Sequence, residues 1–248
     1  MPTKYQRSFY PVEITRTYNN DSGSVDMRAF GVGSDNRDYA IKQLTDGSGR
    51  IPATEMFCYE LAQCFDIATP GYTIVKLRDG SLAFGSVIEG GVGQIKNLVE
   101  AIEIFKGRPP VRGLKEFFSK VYAFDLFINN IDRHLGNYLF RHSLRSTIAM
   151  AFDFGRAWYE IDAYGYQATN QDNKTQAGHV IISQYNQYDL TIARQTLREI
   201  AALPKSRVEA ILNSIPNDWF HDSFAADFLN WWGSEDMSKR IVQLRKDI

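Results

Sequence analysis

One segment constrains the fold of this chain more than any other. An apolar stretch at 113–128 runs directly into a polar loop and then into two short apolar runs. Apolar residues recur in 113–128 at helical spacing and spread beyond a single stripe, which predicts a largely buried helix. The helix should end at Asn129 and Asn130, because asparagine disfavours helix interiors. The runs at 138–140 and 147–152 predict a strand pair joined by a turn.

This arrangement directs polar side chains from separate parts of the chain toward one point. Asp132, His134 and Asn137 lie in the polar loop, and Asp153 follows the second strand of the pair. Asn137 and Asp153 are candidate ligands for Mg²⁺ on ATP phosphates, because magnesium prefers hard oxygen ligands. Asp132 can orient an attacking hydroxyl. His134 could act as a proton acceptor or as a hydrogen-bond donor to a phosphate. The set predicts ATP- and Mg²⁺-dependent phosphoryl transfer.

The amino-terminal third predicts an antiparallel meander that carries a lysine. Strands are expected at 12–17, 25–32 and 38–44, separated by turn clusters. Lys42 lies beside apolar residues on the third strand, so its charge requires a partner, either a nucleotide phosphate or a carboxylate. An ordinary lysine on an edge strand is the structural alternative.

A phosphate-covering loop is expected in the first hairpin turn. Ser22, Gly23 and Ser24 lie in this turn, where backbone N–H groups can bind an anion. The turn does not contain the Gly-x-Gly-x-x-Gly pattern of standard protein kinases. This departure favours an atypical kinase.

A helix and a second hairpin are expected next. The helix should cover 53–65, with Glu55 in its first turn as a candidate partner for Lys42. The alternative role for Glu55 is a favourable interaction with the helix dipole. The hairpin should pair 72–77 with 81–88 and lead into a hinge between two lobes. Backbone groups expected to bind adenine belong to Ser86, Val87, Ile88 and Glu89.

The rest of the chain predicts a long polar loop followed by helices. Residues 163–187 are mostly polar, and we expect a loop there that recognises substrate or seals the site. Helices are expected at 190–203, 207–215, 220–232 and 236–246, with prolines between several of them.

Together these motifs resemble the HipA-like kinases over roughly residues 10–230. The similarity is to a compact form without the extra amino-terminal domain of the HipA toxins. The loop and turn motifs are also similar to those of phosphatidylinositol kinases. The matching features are Ala40-Ile41-Lys42, the helix at 55–62 with Ile67-Ala68-Thr69-Pro70 after it, Phe84-Gly85-Ser86, Asn130-x-Asp132-Arg133-His134-x-x-Asn137, and Asp153-Phe154-Gly155.

The resemblance implies an α+β, bilobal protein-kinase-like fold. An antiparallel-sheet N-lobe with one main helix would cover 1–90, and a mostly helical C-lobe would cover 91–248. It also implies a bacterial enzyme that phosphorylates Ser or Thr hydroxyls of proteins, often with autophosphorylation. HipA toxins often have an antitoxin partner, although no pattern in this chain encodes such a contact. By position, the site residues would be Lys42 for the ATP phosphates, Asp132 for catalysis, and Asn137 and Asp153 for the metal.

Composition argues against several other classes of protein. The 248 residues carry a net charge of −1, which provides no basic field for nucleic acid. No apolar run approaches the ~18 residues that a membrane span needs. The start of the chain has no apolar signal core, and Cys58 and Cys64 fit neither a disulfide nor a zinc spacing. We therefore expect a cytoplasmic protein. Export by a route that needs no signal peptide stays an open alternative.

Two alternatives to a Ser/Thr protein kinase stay open on the residues alone. The first is a lipid or small-molecule kinase on the same fold. The balanced charge weighs against a membrane substrate but not against a soluble metabolite. The second is a non-catalytic nucleotide-binding or scaffold protein. The joint presence of Lys42, Asp132, Asn137 and Asp153 weighs against that second alternative.

Overall fold

A five-stranded barrel forms the amino-terminal part of the fold in the computed structural model. The structure describes residues 10–19, 29–143, 146–168 and 172–248. The barrel order is β1-β2-β3-β5-β4, and β1 lies beside β4 to close it. Its strands are β1 (Val12–Asn19), β2 (Ala29–Gly33), β3 (Asp38–Lys42), β4 (Tyr72–Lys76) and β5 (Leu82–Ile88).

The first three strands form the expected antiparallel meander, and a parallel pair that was not expected closes the barrel. All other neighbouring strands in the barrel are antiparallel, but Val12 and Glu13 of β1 pair in parallel with Val75 and Lys76 of β4. The barrel interior is small, because a Cβ atom added to Gly85 would lie 2.6 Å from Val75 Cγ1. The strands can therefore curl tightly enough to remove the free sheet edges.

A second sheet follows the barrel, and helices make up most of the remaining fold. The sheet is antiparallel, in the order β6-β7-β8. Its strands are β6 (Val92–Gln94), β7 (Tyr138–His142) and β8 (Thr147–Ala151). The helices are α1 (Ile51–Gln63), α2 (Leu98–Phe105), α3 (Leu114–Phe127), α4 (Trp158–Ile161), α5 (Lys174–Gln184), α6 (Leu190–Ala202), α7 (Lys205–Leu212), α8 (Phe224–Trp231) and α9 (Glu235–Asp247). The mixed α+β class is confirmed.

Helix α1 connects the barrel to the helical part of the molecule. Nearly all of its residues are buried, and it belongs to the main hydrophobic core. The Tyr59 ring contacts both Phe84 of β5 and Phe154, which follows β8. Phe57 stacks on Trp158 at the start of α4. These contacts fix the barrel against the segment that follows β8.

The buried helix and the strand pair expected around the polar loop are both present, as α3 and as β7 with β8. Helices α6 to α9 also confirm the expected carboxy-terminal helices, with ends that differ by a few residues. The short strand β6 and helix α2 were not expected, because three and eight residues are too few for a clear periodic pattern. The proposed domain boundary at residue 90 falls between β5 and β6, and it stays a prediction.

The expectation of a loop throughout 163–187 is wrong, because α5 occupies Lys174–Gln184. Its start is capped by Asn173, whose side chain accepts a hydrogen bond from the Gln176 N–H at 3.1 Å. Few of its residues are apolar and buried, so the sequence has little amphipathic pattern to reveal it. None of the described helices has the length and apolar character needed to cross a membrane.

Candidate active site

A cavity of about 330 Å³ lies where the barrel meets the second sheet. Its walls are mostly apolar, and charged side chains gather at part of its lining. An apolar slot suits a flat ring such as a nucleobase, while the charged part suits phosphates. The apolar lining includes Ala40, Phe84, Val87, Val92, Leu139, Met150 and Phe152, and the charged lining is Lys42, Glu55, Glu89 and Asp153.

The four residues expected to bind adenine all line this cavity. Ser86 pairs with Ala40 of β3 and with Tyr72 of β4, and its hydroxyl lies 3.2 Å from the Tyr59 hydroxyl. The Val87 N–H donates to the Gly71 carbonyl at 2.7 Å, so this donor is already used. Ile88 and Glu89 extend beyond the pairing with β4, and Glu89 also holds Arg141 at 2.7 Å. The end of β5 is thus the part best placed to contact a base.

Lys42 is buried between two carboxylates. Its ammonium lies 3.1 Å from Asp153 Oδ1 and 3.5 Å from Glu55 Oε1. The second oxygen of Glu55 accepts a hydrogen bond from the Phe154 N–H at 3.0 Å. Glu55 is therefore a partner of Lys42, as the sequence suggested, and the Glu55 side chain is only 1% exposed. Lys42 has carboxylate partners here, and it lines the cavity where phosphates would enter.

The two carboxylates beside Lys42 differ in their ionisation. Burial raises the pKa of Glu55 to about 7, against the opposing charge of Lys42. Burial also tends to raise the pKa of Asp153, but the ammonium of Lys42 and its hydrogen bond outweigh this effect and hold the pKa below its ordinary value. Asp153 is therefore the carboxylate that keeps its charge, as a metal ligand must.

Arg133 braces the polar loop. Its buried guanidinium makes a bidentate pair with Asp125 of α3, at 2.9 and 3.2 Å. It also donates to the carbonyl of Asn137 at 3.1 Å and to the carbonyl of Phe152. Because Phe152 directly precedes Asp153, one side chain holds the loop and the strand end together. The backbone of Asn137 is thereby held close to that of Phe152, the residue before Asp153.

The polar loop is also fixed by bonds within itself. The Asn137 amide donates to the Asp132 carbonyl at 3.0 Å, which leaves the Asn137 amide oxygen as its coordinating atom. His134 Nδ1 accepts a hydrogen bond from the Gly136 N–H at 3.1 Å. Burial lowers the pKa of His134, so its neutral ring carries the proton on Nε2. Of the two roles considered for His134, this geometry favours that of a hydrogen-bond donor to a phosphate.

These residues fit the chemistry of Mg²⁺ on a nucleotide. The described part of the chain contains no group of three or more His, Cys, Asp or Glu residues arranged to hold a metal ion. Mg²⁺ bound with phosphates needs only one or two carboxylates from the protein, since phosphates and water complete its shell. The Asp153 carboxylate and the Asn137 amide oxygen meet that requirement.

Asp153 adopts a left-handed backbone conformation, with φ of 58°. Aspartate tolerates this region better than most residues, but it persists only where the surroundings hold it. Here Lys42 holds the side chain, and the Glu55 carboxylate holds the next backbone N–H. The turn after β8 is therefore fixed from both its side chain and its backbone.

Sequence reasoning missed several residues that contact the loop. The Lys174 ammonium lies 2.5 Å from Asp132 Oδ1, and Gln94 donates to the Gly136 carbonyl at 2.5 Å. No sequence pattern links either residue to the loop. Asp125 could have been found, because a carboxylate inside a buried apolar helix requires a cationic partner. The expected phosphate-loop residues Ser22, Gly23 and Ser24 lie outside the described residues.

Solved structures share this fold. The Helicobacter pylori proinflammatory kinase CtkA aligns over 96% of this chain and 98% of its own, with a TM-score of 0.59 and 14% identity. HipA from Shewanella oneidensis MR-1, solved with HipB and operator DNA, aligns over 99% of this chain and 70% of its own, with a TM-score of 0.51 and 12% identity. A fragment of LepB from Legionella pneumophila aligns over 87% of this chain and 46% of its own, with a TM-score of 0.52 and 16% identity.

A comparison with curated protein sequences gave no significant match. A family model described as HipA-like kinase, in contrast, matches residues 25–230, which include every described residue of the site. The chain therefore belongs to the HipA-like kinase family.

Proposed function

We propose that this protein transfers the γ-phosphoryl group of ATP to Ser or Thr hydroxyls of a protein, with Mg²⁺ as the cofactor. The observation that carries the proposal is the group formed by Lys42, Glu55 and Asp153 at the charged part of an apolar cavity. A scaffold has no chemical need for a buried lysine shared by two carboxylates beside such a slot. Membership of the HipA-like kinase family supports a phosphotransferase.

In the proposed reaction, each residue has a separate task. Lys42 binds the ATP phosphates, and Glu55 holds Lys42 in position. Asn137 and Asp153 would hold Mg²⁺, which neutralises phosphate charge when bound. Asp132 orients the acceptor hydroxyl and accepts its proton. The bond between the acceptor oxygen and the γ-phosphorus forms, the bond to the bridging oxygen breaks, and ADP leaves with that oxygen's electron pair.

Two finer features also belong to the proposal. Autophosphorylation is included because the family resemblance implies it. An antitoxin-like partner is included because the Shewanella HipA was solved with HipB, although no surface of this chain is assigned to that contact. Both features can be examined separately from the phosphoryl transfer itself.

The test uses ATP labelled at the γ-phosphate, with Mg²⁺ present or chelated. The acceptors are a protein extract, phosphatidylinositol vesicles and the chain alone. We expect Mg²⁺-dependent label on protein Ser or Thr, and a loss of at least about 100-fold in Asp132→Asn. Label on lipid but not on protein would replace the protein substrate by a lipid one. Absence of any Mg²⁺-dependent ATP consumption by the wild type would overturn the proposal.

A further inference from the structure

The first residue of α5 reaches the catalytic loop. The Lys174 ammonium lies 2.5 Å from Asp132 Oδ1, and the side chain is 60% exposed. We infer that Lys174 is a second phosphate-binding residue, which pairs with Asp132 as seen here and moves onto the γ-phosphate when ATP is bound. The inference rests on the proposed function and adds to it a residue that directs the γ-phosphate toward the acceptor.

The backbone at the start of α5 is attached to the catalytic loop. The Lys174 N–H donates to the Ile131 carbonyl at 2.8 Å. The Thr175 hydroxyl donates to the Asn130 carbonyl at 2.5 Å and accepts from the Arg133 N–H at 3.0 Å. These bonds lie directly on either side of Asp132 in the sequence. The Cα atom of Lys174 is therefore fixed, while its exposed side chain can change rotamer.

The remainder of α5 is also fitted to its surroundings. Tyr122 of α3 donates to the Gln176 side chain at 2.8 Å, and its ring stacks on His179 at 3.5 Å. A Cβ atom added to Gly178 would lie 3.1 Å from the Arg133 carbonyl oxygen, so α5 packs closely against the loop at this point. The position of Lys174 thus follows from contacts along the helix, not from one ion pair.

The expected position of the γ-phosphate lies within reach of this side chain. A base that accepts the hydroxyl proton lies about 3 Å from the acceptor oxygen. The acceptor oxygen in turn lies about 3–3.5 Å from the phosphorus it attacks. The γ-phosphorus should therefore lie within about 6.5 Å of the Asp132 carboxylate. A lysine with a flexible four-carbon stem that already contacts Asp132 can cover that distance.

Other cationic groups at the site are already matched by carboxylates. Lys42 is shared between Glu55 and Asp153, and the Arg133 guanidinium is paired with Asp125. Lys174 differs from both in being mostly exposed, so its pairing with Asp132 is weakly held. A γ-phosphate, with more negative charge than one carboxylate, can compete for it.

Transfer itself would favour this exchange of partners. The acceptor hydroxyl gives its proton to Asp132 as the new oxygen–phosphorus bond forms and the bridging bond to ADP breaks. Asp132 then becomes neutral and loses its attraction for Lys174, while negative charge remains on the phosphoryl oxygens. Lys174 keeps its own proton throughout, so it acts by charge and position and not as an acid or base.

Nucleotides that differ only in the γ-phosphate give the direct test. Dissociation constants for ADP and for a non-hydrolysable ATP analogue, both with Mg²⁺, would be measured in the wild type, Lys174→Met and Lys174→Arg. Lys239→Met is the control, since Lys239 is an exposed lysine of α9 that is 2.9 Å from Glu235. We expect Lys174→Met to raise the dissociation constant of the ATP analogue about three- to tenfold and to leave that of ADP unchanged. Lys174→Arg should restore most of the loss, and Lys239→Met should behave as wild type.

Turnover measured on the same variants separates the competing explanations. Lys174→Met should lower kcat for ATP consumption about tenfold or more, with a smaller change in KM for ATP. Equally weaker binding of ADP and of the ATP analogue would show that the ion pair merely supports the loop. Unchanged analogue binding and kcat would show an ordinary surface ion pair. Failure of the wild type to bind either nucleotide would overturn the proposed function, and the inference with it.

Discussion

The Lys42 ammonium lies 3.1 Å from the Asp153 carboxylate, although 111 positions separate the two residues in the chain. The contact joins the third strand of the barrel to the turn that follows the second sheet. Glu55 shares the same ammonium from α1 at 3.5 Å. Three elements therefore meet at one buried charge. Phosphates that bind there must compete with Asp153 for Lys42, and a metal ion on Asp153 would relieve that competition.

Replacement of Lys42 tests its assignment to the phosphates. Lys42→Met should weaken Mg²⁺–ADP binding about tenfold or more, because charge-assisted hydrogen bonds contribute about 1.5–3 kcal/mol. The variant should also be less stable, because Asp153 loses the ammonium that holds its pKa below the ordinary value, whereas Glu55 can take up a proton in place of its partner. Calorimetric titration and urea unfolding measure the two effects. Unchanged ADP affinity would contradict the assignment.

Arg133 should contribute more to stability than an exposed ion pair does. Arg133→Met leaves the buried Asp125 carboxylate without its partner, and we expect a loss of about 3–5 kcal/mol in the free energy of unfolding. Arg108→Met, which breaks an exposed pair with Glu103, should cost at most about 0.5 kcal/mol. Urea unfolding of both variants provides the comparison. Similar small losses would mean that the buried pair does not hold the loop.

The tight interior of the barrel predicts the effect of a single methyl group. In Gly85→Ala the new Cβ would lie 2.6 Å from Val75 Cγ1 and 3.1 Å from Tyr39 Cδ1. Overpacking of this kind should lower the free energy of unfolding by about 1–3 kcal/mol. Gly90→Ala is the matched control, because no atom lies within 4 Å of its added Cβ. Thermal or urea unfolding would refute the prediction if both variants matched the wild type.

His179 should make α5 sensitive to acid. Burial lowers the pKa of His179 to about 4, whereas an unfolded histidine has a pKa of about 6.5. Between these values the folded state binds fewer protons than the unfolded state, so this contribution to stability is present above pH 6.5 and is lost as pH falls toward 4. Tyr122, Tyr188 and Ser183 face the ring.

The variant His179→Phe keeps an aromatic ring against Tyr122 without the titrating group. Between pH 7 and pH 5 the wild type should lose more unfolding free energy than this variant. Between pH 8 and pH 7 the difference between the two proteins should stay constant, which serves as the internal control. Urea unfolding at each pH gives the comparison. Parallel acid losses in both proteins would place the acid sensitivity elsewhere.

Several parts of the fold and site could be predicted because their signals are local in sequence. The helix at α3, the loop with Asp132 and Asn137, and the turn at Asp153 follow one another, so strand pairing alone brings them together. Lys42 needed only one further inference, that a half-buried cation requires a partner. The structure places that cation against Asp153 and Glu55.

Other parts depend on contacts that the sequence does not encode locally. The barrel closes through two parallel residue pairs between β1 and β4, which no alternation of apolar residues specifies. Helix α5 is mostly polar, and its stability comes from the Asn173 cap and the Tyr122–His179 stack. Lys174 was missed with it, since an exposed lysine has no sequence signature for the carboxylate it pairs with.

The most direct measurement of the central claim is the intact mass of the protein after incubation with ATP and Mg²⁺, together with the ATP consumed. The proteins compared are the wild type, Asp132→Asn and Asp153→Asn. We predict Mg²⁺-dependent ATP consumption and added phosphate in the wild type alone, because both variants retain the shape of the site but lose one charge each. Equal consumption in all three proteins would contradict the assignment of Asp132 and Asp153. No consumption in the wild type, with any acceptor, would contradict the kinase itself.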